Sequence, residues 1–231
     1  MSTDRPDRRA LADRVTGVYL LTPDVEPGEF DVMADRFGAA MAAGVALVQY
    51  RNKRAPAADR RAQARVLQAL ARRHGGLFVV NDDIDLAVEL DADGVHLGRD
   101  DGDIAVARRR LPNQLLGVSC YNDLERAHRA VDAGADLLAF GSVFASFTKP
   151  AAVRASLGLL REAREQFPHQ RVVAIGGIDA TNIGSVSAAG AHAAALISAV
   201  FDAEDPGQAV RDLQQEFREG LIQHDTQRTA V

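Results

Sequence analysis

Short apolar, largely β-branched runs recur along the chain, and each leads into a stretch with helical spacing. The runs are GVYLL (17–21), ALVQY (46–50), LFVV (77–80), GVHL (94–97), LLGVS (115–119), LLAFG (137–141), VVAIG (172–176) and AALIS (194–198), eight in all. Helical patterns fall at 29–43, 57–74, 83–90, 103–110, 123–133, 155–167, 181–189 and 205–219. The stretch 57–74 is rich in Ala, Leu, Arg and Gln, which are strong helix formers, and Ala62, Val66, Ala69 and Leu70 mark its expected apolar face. Several helices close on glycine, as in Ala43-Gly44, Ala133-Gly134 and Ala189-Gly190, where the left-handed position past a helix end favours it. The phrases AAGVALV, DAGADLL and AAGAHAAAL repeat one unit of helix end, glycine turn and next strand.

Near-continuous apolar strands separated by helices predict a parallel sheet covered on its faces. Eight such units predict an α/β fold, a (β/α)8 TIM barrel in a single domain. An open doubly wound sheet is the alternative. It loses support because no G-x-G-x-x-G follows the first strand and no G-x-x-x-x-G-K-[ST] is present. The barrel is expected over 14–220, with a polar, frayed N-terminal extension at 1–13 and a polar tail at 221–231.

Composition narrows the function. The 231 residues carry a net charge of −5, which gives no support for nucleic-acid binding. No apolar run approaches the roughly 18 residues of a membrane span. The segment MSTDRPDRRALADR lacks the apolar core of a signal peptide. Cys120 is alone, so no internal disulfide forms. A soluble, cytoplasmic domain is expected.

Barrel chemistry sits at the C-terminal ends of the strands. There the sequence turns polar: Gln49, Arg51 and Lys53 after the second strand, Asn81 and Asp82 after the third, Asp101 beyond the fourth, and Ser119 at the end of the fifth. Ser146, Thr148 and Lys149 follow the sixth, Gly176-Gly177 the seventh, and Ile197-Ser198 the eighth. Continued extension would point Gln49, Arg51 and Lys53 one way, as a grip for phosphate oxygens; a solvated loop is the competing reading. The hydroxyls and cation at 146–149 suit phosphate or a plain turn. The Gly-Gly pair suits backbone donation to an anion, or a tight turn.

Residues 76–101 hold eight acids. Asp82 or Asp83 suits a cap on the helix at 83–90, Asp85 suits that helix's positive end, and Asp103 suits the next cap. Asp91 and Asp93 fit a turn, and Asp100 stays undecided. Asp82 and Asp101 end neighbouring strand units, so their carboxylates are expected to meet. Mg2+ takes one or two carboxylates beside substrate phosphates. The six histidines show no metal-ligand spacing, His96 reads as a packed or partnered barrel residue, and Cys120 reads as a passive thiol.

The phrases VQYRNK, VVNDDIDLAVELDADGVHLGRDD, LLGVS, GSVFASFTKP, VVAIGGI and ALISAVF occur in order, and with them the chain resembles the thiamine phosphate synthase family. The resemblance implies a (β/α)8 barrel that joins a hydroxymethylpyrimidine diphosphate to a hydroxyethylthiazole phosphate, releasing diphosphate. It implies that Gln49, Arg51 and Lys53 hold the pyrimidine's diphosphate, and that Asn81 and Ser119 lie near the pyrimidine. Lys149 would face the leaving diphosphate, and Asp82 and Asp101 would bind Mg2+. Ser146, Thr148, Gly177, Ile197 and Ser198 would line the thiazole phosphate site. It also implies carbon–oxygen cleavage to a stabilised pyrimidinylmethyl cation that the thiazole nitrogen captures, so no base is needed to make a nucleophile. The partners implied are those two small molecules, with no nucleic acid or membrane and with a possible homodimer.

The chain departs from the family's usual pattern at Ser146, at Ala145 and Phe147, at Asn52 and at Tyr121. Three rivals remain: the related thiazole tautomerase, another phosphate-binding barrel enzyme, and a non-catalytic thiamine-phosphate binding protein. The tautomerase relies on a His where Tyr121 stands.

Overall fold

The computed structural model describes residues 7–145 and 153–229. Eight parallel strands close on themselves in chain order. They are β1 (Gly17–Leu21), β2 (Leu47–Tyr50), β3 (Leu77–Asn81), β4 (Gly94–Leu97), β5 (Leu115–Tyr121), β6 (Leu137–Gly141), β7 (Arg171–Ile175) and β8 (Ala193–Leu196). Closure pairs β1 with β8, Gly17 opposite Ala193 and Leu20 opposite Leu196. The expected (β/α)8 barrel is the observed fold.

Strand alternation divides the apolar residues between two cores. Val18, Leu20, Val48, Phe78, Val80 and Val95 face outward beneath the helices. Tyr19, Leu47, Leu77, Val79, Leu115 and Val173 fill the barrel. The helices are α1 (Arg8–Asp13), α2 (Phe30–Ala42), α3 (Ala57–Arg73), α4 (Ile84–Glu89), α5 (Ile104–Arg110), α6 (Leu124–Asp132), α7 (Leu157–Gln166), α8 (Ile183–Ala188), α9 (Ser198–Phe201) and α10 (Pro206–Thr229). Side-chain caps set several starts: Asp83 accepts from the Leu86 N–H, Asp103 from Ala105 and Val106, Asp123 from Arg126, and Ser156 from Leu159. No described helix is long and apolar enough to cross a membrane.

Four expectations need correction. In α3 the buried face is Gln63, Ala64, Leu67, Gln68 and Ala71, while Val66 is 46% exposed. The two glutamines bury because they find partners. Gln63 Oε1 accepts from the Tyr50 hydroxyl at 2.9 Å and from Asn52 Nδ2 at 3.1 Å, and Gln68 Nε2 donates to the Leu90 carbonyl at 2.9 Å. A reading of apolar spacing alone rotates the helix away from them.

Residues 1–6 of the expected extension lie outside the described residues, and residues 7–13 are not frayed. Asp7 caps α1, and Leu11, 1% exposed, packs with Ala12 and Val15 against Leu47, Leu77 and Leu115. This short helix floors the barrel at its N-terminal end. Nor does the last helix stop near 219. It runs to Thr229, with Leu221 against the core. At Gly220 a Cβ would lie 2.1 Å from the Gly184 carbonyl oxygen, so glycine lets α10 cross α8 in contact. Finally, the segment read as a strand through Ser198 stops at Leu196, and Ser198 opens α9.

Candidate active site at the strand ends

The loop after β2 is built on the loop after β1. Thr22, 1% exposed, accepts the Arg51 N–H at 2.8 Å and donates to the Arg51 carbonyl at 2.7 Å. Asp24 then binds the Arg51 side chain and the Lys53 backbone. Its Oδ2 accepts from Arg51 Nη1 at 2.6 Å, and its Oδ1 accepts the Lys53 backbone N–H at 2.7 Å. Burial alone would raise the Asp24 pKa; the Lys53 N–H and the Arg51 guanidinium outweigh it and hold the carboxyl below its usual range. Asn52, buried, donates to the Val25 carbonyl and accepts from Arg54 and Ala55 N–H groups. Its role is to shape the loop.

Lys53 reaches the next strand end. Its Nζ lies 2.9 Å from Asp82 Oδ2. Asp82 has φ +64°, a left-handed conformation that is uncommon outside glycine, and its N–H donates to the His96 carbonyl at 2.8 Å. Asp83 takes the capping role, which leaves the Asp82 side chain free for Lys53. Asp101 curls back so that its Oδ2 accepts the Gly98 N–H at 2.9 Å. It also faces Asp82. Burial raises the Asp82 pKa, Lys53 lowers it, and the Asp101 carboxylate raises it again, for a net upward shift. The expected meeting of Asp82 and Asp101 therefore occurs. Together with Tyr50, Arg51, Lys53 and Asn81 they line a cleft of about 610 Å3. The cations on its walls, Arg51, Lys53, Arg60 and Arg110, are matched in number by Asp82, Asp83, Asp85 and Asp101.

Polar residues also occupy the top of the barrel interior. Gln49 is 2% exposed, and its Nε2 donates to the Tyr19 hydroxyl at 2.7 Å. It thus points inward, so the three residues do not point one way as expected: Gln49 is spent on Tyr19, and only Arg51 and Lys53 turn to the cleft. His96 Nε2 lies 2.9 Å from Ser119 Oγ, and the buried Nδ1 has no hydrogen-bond partner. Burial pushes the His96 pKa down to about 4 despite the charge on Asp101. The Arg99 and Arg126 guanidinium groups lie 4.8 and 5.8 Å from the centre of the Tyr121 ring. Arg126 in turn donates to the Ser119 and Gly98 carbonyls at 2.7 and 3.0 Å. Cys120 is fully buried with its thiol pushed up to about 12, so it is inert, as expected.

Across the mouth, Gly176 and Gly177 have φ values of +101° and +65°. The chain after β6 passes directly over them: Val143 and Phe144 donate to the Ile175 and Gly176 carbonyls, and a Cβ on Gly177 would stand 2.4 Å from the Ala145 oxygen. Close backbone crossing therefore already requires glycine here. Ile197 and Ser198 stand at the start of α9 on the same rim. Ser146, Thr148 and Lys149 lie outside the described residues.

The family model for thiamine monophosphate synthase matches residues 18–200. This chain belongs to that family. A thiamine-phosphate synthase of Halorhodospira halophila is 49% identical over 204 residues, covering 87% of this chain and 93% of the relative. One from Chromobacterium violaceum is 49% identical over 205 residues, covering 88% and 97%. The solved thiamine phosphate pyrophosphorylase of Pyrococcus furiosus superposes with a TM-score of 0.81 at 35% identity, covering 91% of this chain and 99% of that one. A 3-hexulose-6-phosphate synthase at 22% identity and TM-score 0.65 shares the fold alone.

Within this family member, several residues of the mouth escape a reading of the strand ends that begins at β2. Tyr19, Thr22 and Asp24 all belong to β1 or its loop. The polar, turn-forming phrase Thr22-Pro23-Asp24 after an apolar run was the available signal.

Proposed function

We propose that this family member joins 4-amino-2-methyl-5-(diphosphooxymethyl)pyrimidine to 4-methyl-5-(2-phosphoethyl)thiazole, giving thiamine phosphate and diphosphate, with Asp82 and Asp101 holding Mg2+. The observation that carries this reading is the convergence of Lys53, Asp82 and Asp101 in one cleft. Two carboxylates facing each other invite a cation between them. Among the described residues no group of three or more His, Cys, Asp or Glu side chains forms a complete cage. Two oxygen donors suit Mg2+, which completes its shell with water and substrate phosphates. The balanced charges of the cleft walls also fit, because a diphosphate needs positive charge that these side chains do not supply in excess. When bound, the metal supplies charge to offset that of the departing diphosphate.

The chain's own residues do the rest. Arg51 and Lys53 present cations to the diphosphate; Asp24 holds the Arg51 guanidinium and the Lys53 backbone, and Asp82 holds the Lys53 ammonium. Lys149 adds a further cation to the leaving group. Stabilising developing negative charge with groups already in place is often the largest catalytic contribution. Asn81 and Ser119 hold the pyrimidine, while Ser146, Thr148, Gly177, Ile197 and Ser198 hold the thiazole phosphate. With both reactants fixed, the thiazole nitrogen meets the carbon that loses diphosphate. The buried, neutral His96 and the inert Cys120 are consistent with a reaction that needs no activated nucleophile.

The direct test incubates the protein with both phosphorylated substrates and MgCl2 and measures thiamine phosphate and diphosphate. Equal amounts of the two products support the reading. Folded protein that forms neither, or that only isomerises the thiazole, overturns it.

A further inference from the structure

His96 and Gly117 face each other across the β4–β5 ladder. Both side-chain directions point into the barrel. Gly117 has no side chain, and the His96 imidazole fills the space. A Cβ built on Gly117 would stand 2.4 Å from His96 Nδ1. A Cα–H bond of the glycine therefore points at that nitrogen. Such a contact accommodates a bare lone pair and weakly satisfies it. It has no room for a second hydrogen, and a proton on Nδ1 would be a buried donor with no acceptor. The other ring nitrogen, Nε2, lies 2.9 Å from Ser119 Oγ.

We infer that His96 is a positioning residue whose Nε2–H donates to Ser119 Oγ, leaving the serine hydroxyl hydrogen free to donate to an acceptor atom of the pyrimidine substrate. The assignment follows from the two ends of the ring. With Nδ1 bare, the single proton of the neutral imidazole sits on Nε2. Donation from Nε2 occupies a lone pair of Ser119 Oγ and fixes the direction of the hydroxyl. The backbone around Ser119 is fixed as well, because Arg126 holds the Ser119 carbonyl at 2.7 Å. Ser119, at the C-terminal end of its strand, is only partly buried, unlike His96. The inference rests on the reading that Ser119 lies beside the pyrimidine.

Two measurements test it. In the wild-type protein, long-range proton–nitrogen correlation spectra of the His96 ring are expected to show the proton on Nε2; a proton on Nδ1 overturns the inference. In steady-state kinetics, His96→Phe and Ser119→Ala are each expected to lower kcat/KM for the pyrimidine substrate about tenfold, the effect of one lost hydrogen bond. The double variant is expected to fall no more than about twofold below the worse single variant, because both changes break one interaction. His96→Gln keeps a side-chain N–H near the Nε2 position and is expected to recover most of the loss, with the KM for the thiazole phosphate unchanged. Additive losses, a Gln variant no better than Phe, or an equal effect on both substrates would overturn it. If wild-type protein forms no thiamine phosphate, the proposed function fails, and the ring spectrum still decides the His96–Ser119 bond.

Discussion

Asp24 offers the sharpest perturbation of the proposed diphosphate grip. One carboxylate accepts from the Arg51 guanidinium at 2.6 Å and from the Lys53 backbone N–H at 2.7 Å. Asp24→Asn preserves the shape and one acceptor for the Lys53 N–H, but removes the charge that holds Arg51. A hydrogen bond to a charged group contributes about 1.5–3 kcal/mol. The Arg51 and Asp24 side chains are 24% and 26% exposed, so water screens the pair and the lower end applies. A loss of about 1.5 kcal/mol corresponds to roughly tenfold in kcat/KM. The assay is continuous diphosphate release, with each substrate varied in turn at saturating Mg2+. The fall is expected in kcat/KM for the pyrimidine diphosphate, with the KM for the thiazole phosphate within about twofold of wild type. A variant as active as wild type would refute the argument that Asp24 positions the Arg51 side chain and the Lys53 backbone. A more active one would mean that Asp24 draws Arg51 away from the substrate.

Asp82→Asn and Asp101→Asn should each lower turnover by about 10²-fold or more, the scale for losing one preorganised group that stabilises charge. Each should also raise the Mg2+ concentration for half-maximal rate; near-wild-type turnover in both would remove them from the metal site. Leu11→Ala should destabilise the fold by about 2–5 kcal/mol, the usual cost of emptying a buried leucine site, and should lower the melting temperature by calorimetry. Acid should destabilise the protein through His96. Its folded pKa of about 4 lies below the ordinary 6.5, so between those values the unfolded chain binds a proton that the native state does not. Stability therefore falls as pH drops through 6.5 towards 4, by about 2 kcal/mol from this residue between pH 7 and 5. Urea titrations should show a pH dependence flatter by about that amount in His96→Gln.

Much of this barrel is legible from period and punctuation. Parallel strands buried on both faces are nearly continuous in apolar residues, and the glycine turns mark where one unit ends. The residues that were misplaced share a different cause. Gln63 and Gln68 are polar side chains inside the helix–barrel interface, admitted because Tyr50, Asn52 and Leu90 satisfy them. Hydrogen-bond partners far along the chain are invisible to a hydropathy pattern. Leu11 fails to stand out because six residues of helix surrounded by charges look like a tail until the barrel floor is present to receive them. The site divides in the same way. Asp82 and Asp101 are recognisable from their places after adjacent strands. Thr22 and Asp24 act by holding Arg51 and Lys53, and that relation exists only once β1 and β2 lie side by side.

Closure of the barrel between β1 and β8 has a temporal consequence. The partner of the first strand is the last strand to be made, Gly17 with Ala193. At synthesis rates of about 5–20 residues per second, the two are separated by roughly ten to thirty-five seconds. Over that interval the outer edge of β1 has no native neighbour, and an unpaired edge invites association with other chains. The carboxylates and cations of the cleft come from the first half of the chain, whereas α10, which packs on α2, α8 and β1, comes at its end. Half of the proposed catalytic apparatus thus leaves the ribosome well before the sheet has any means of becoming a ring.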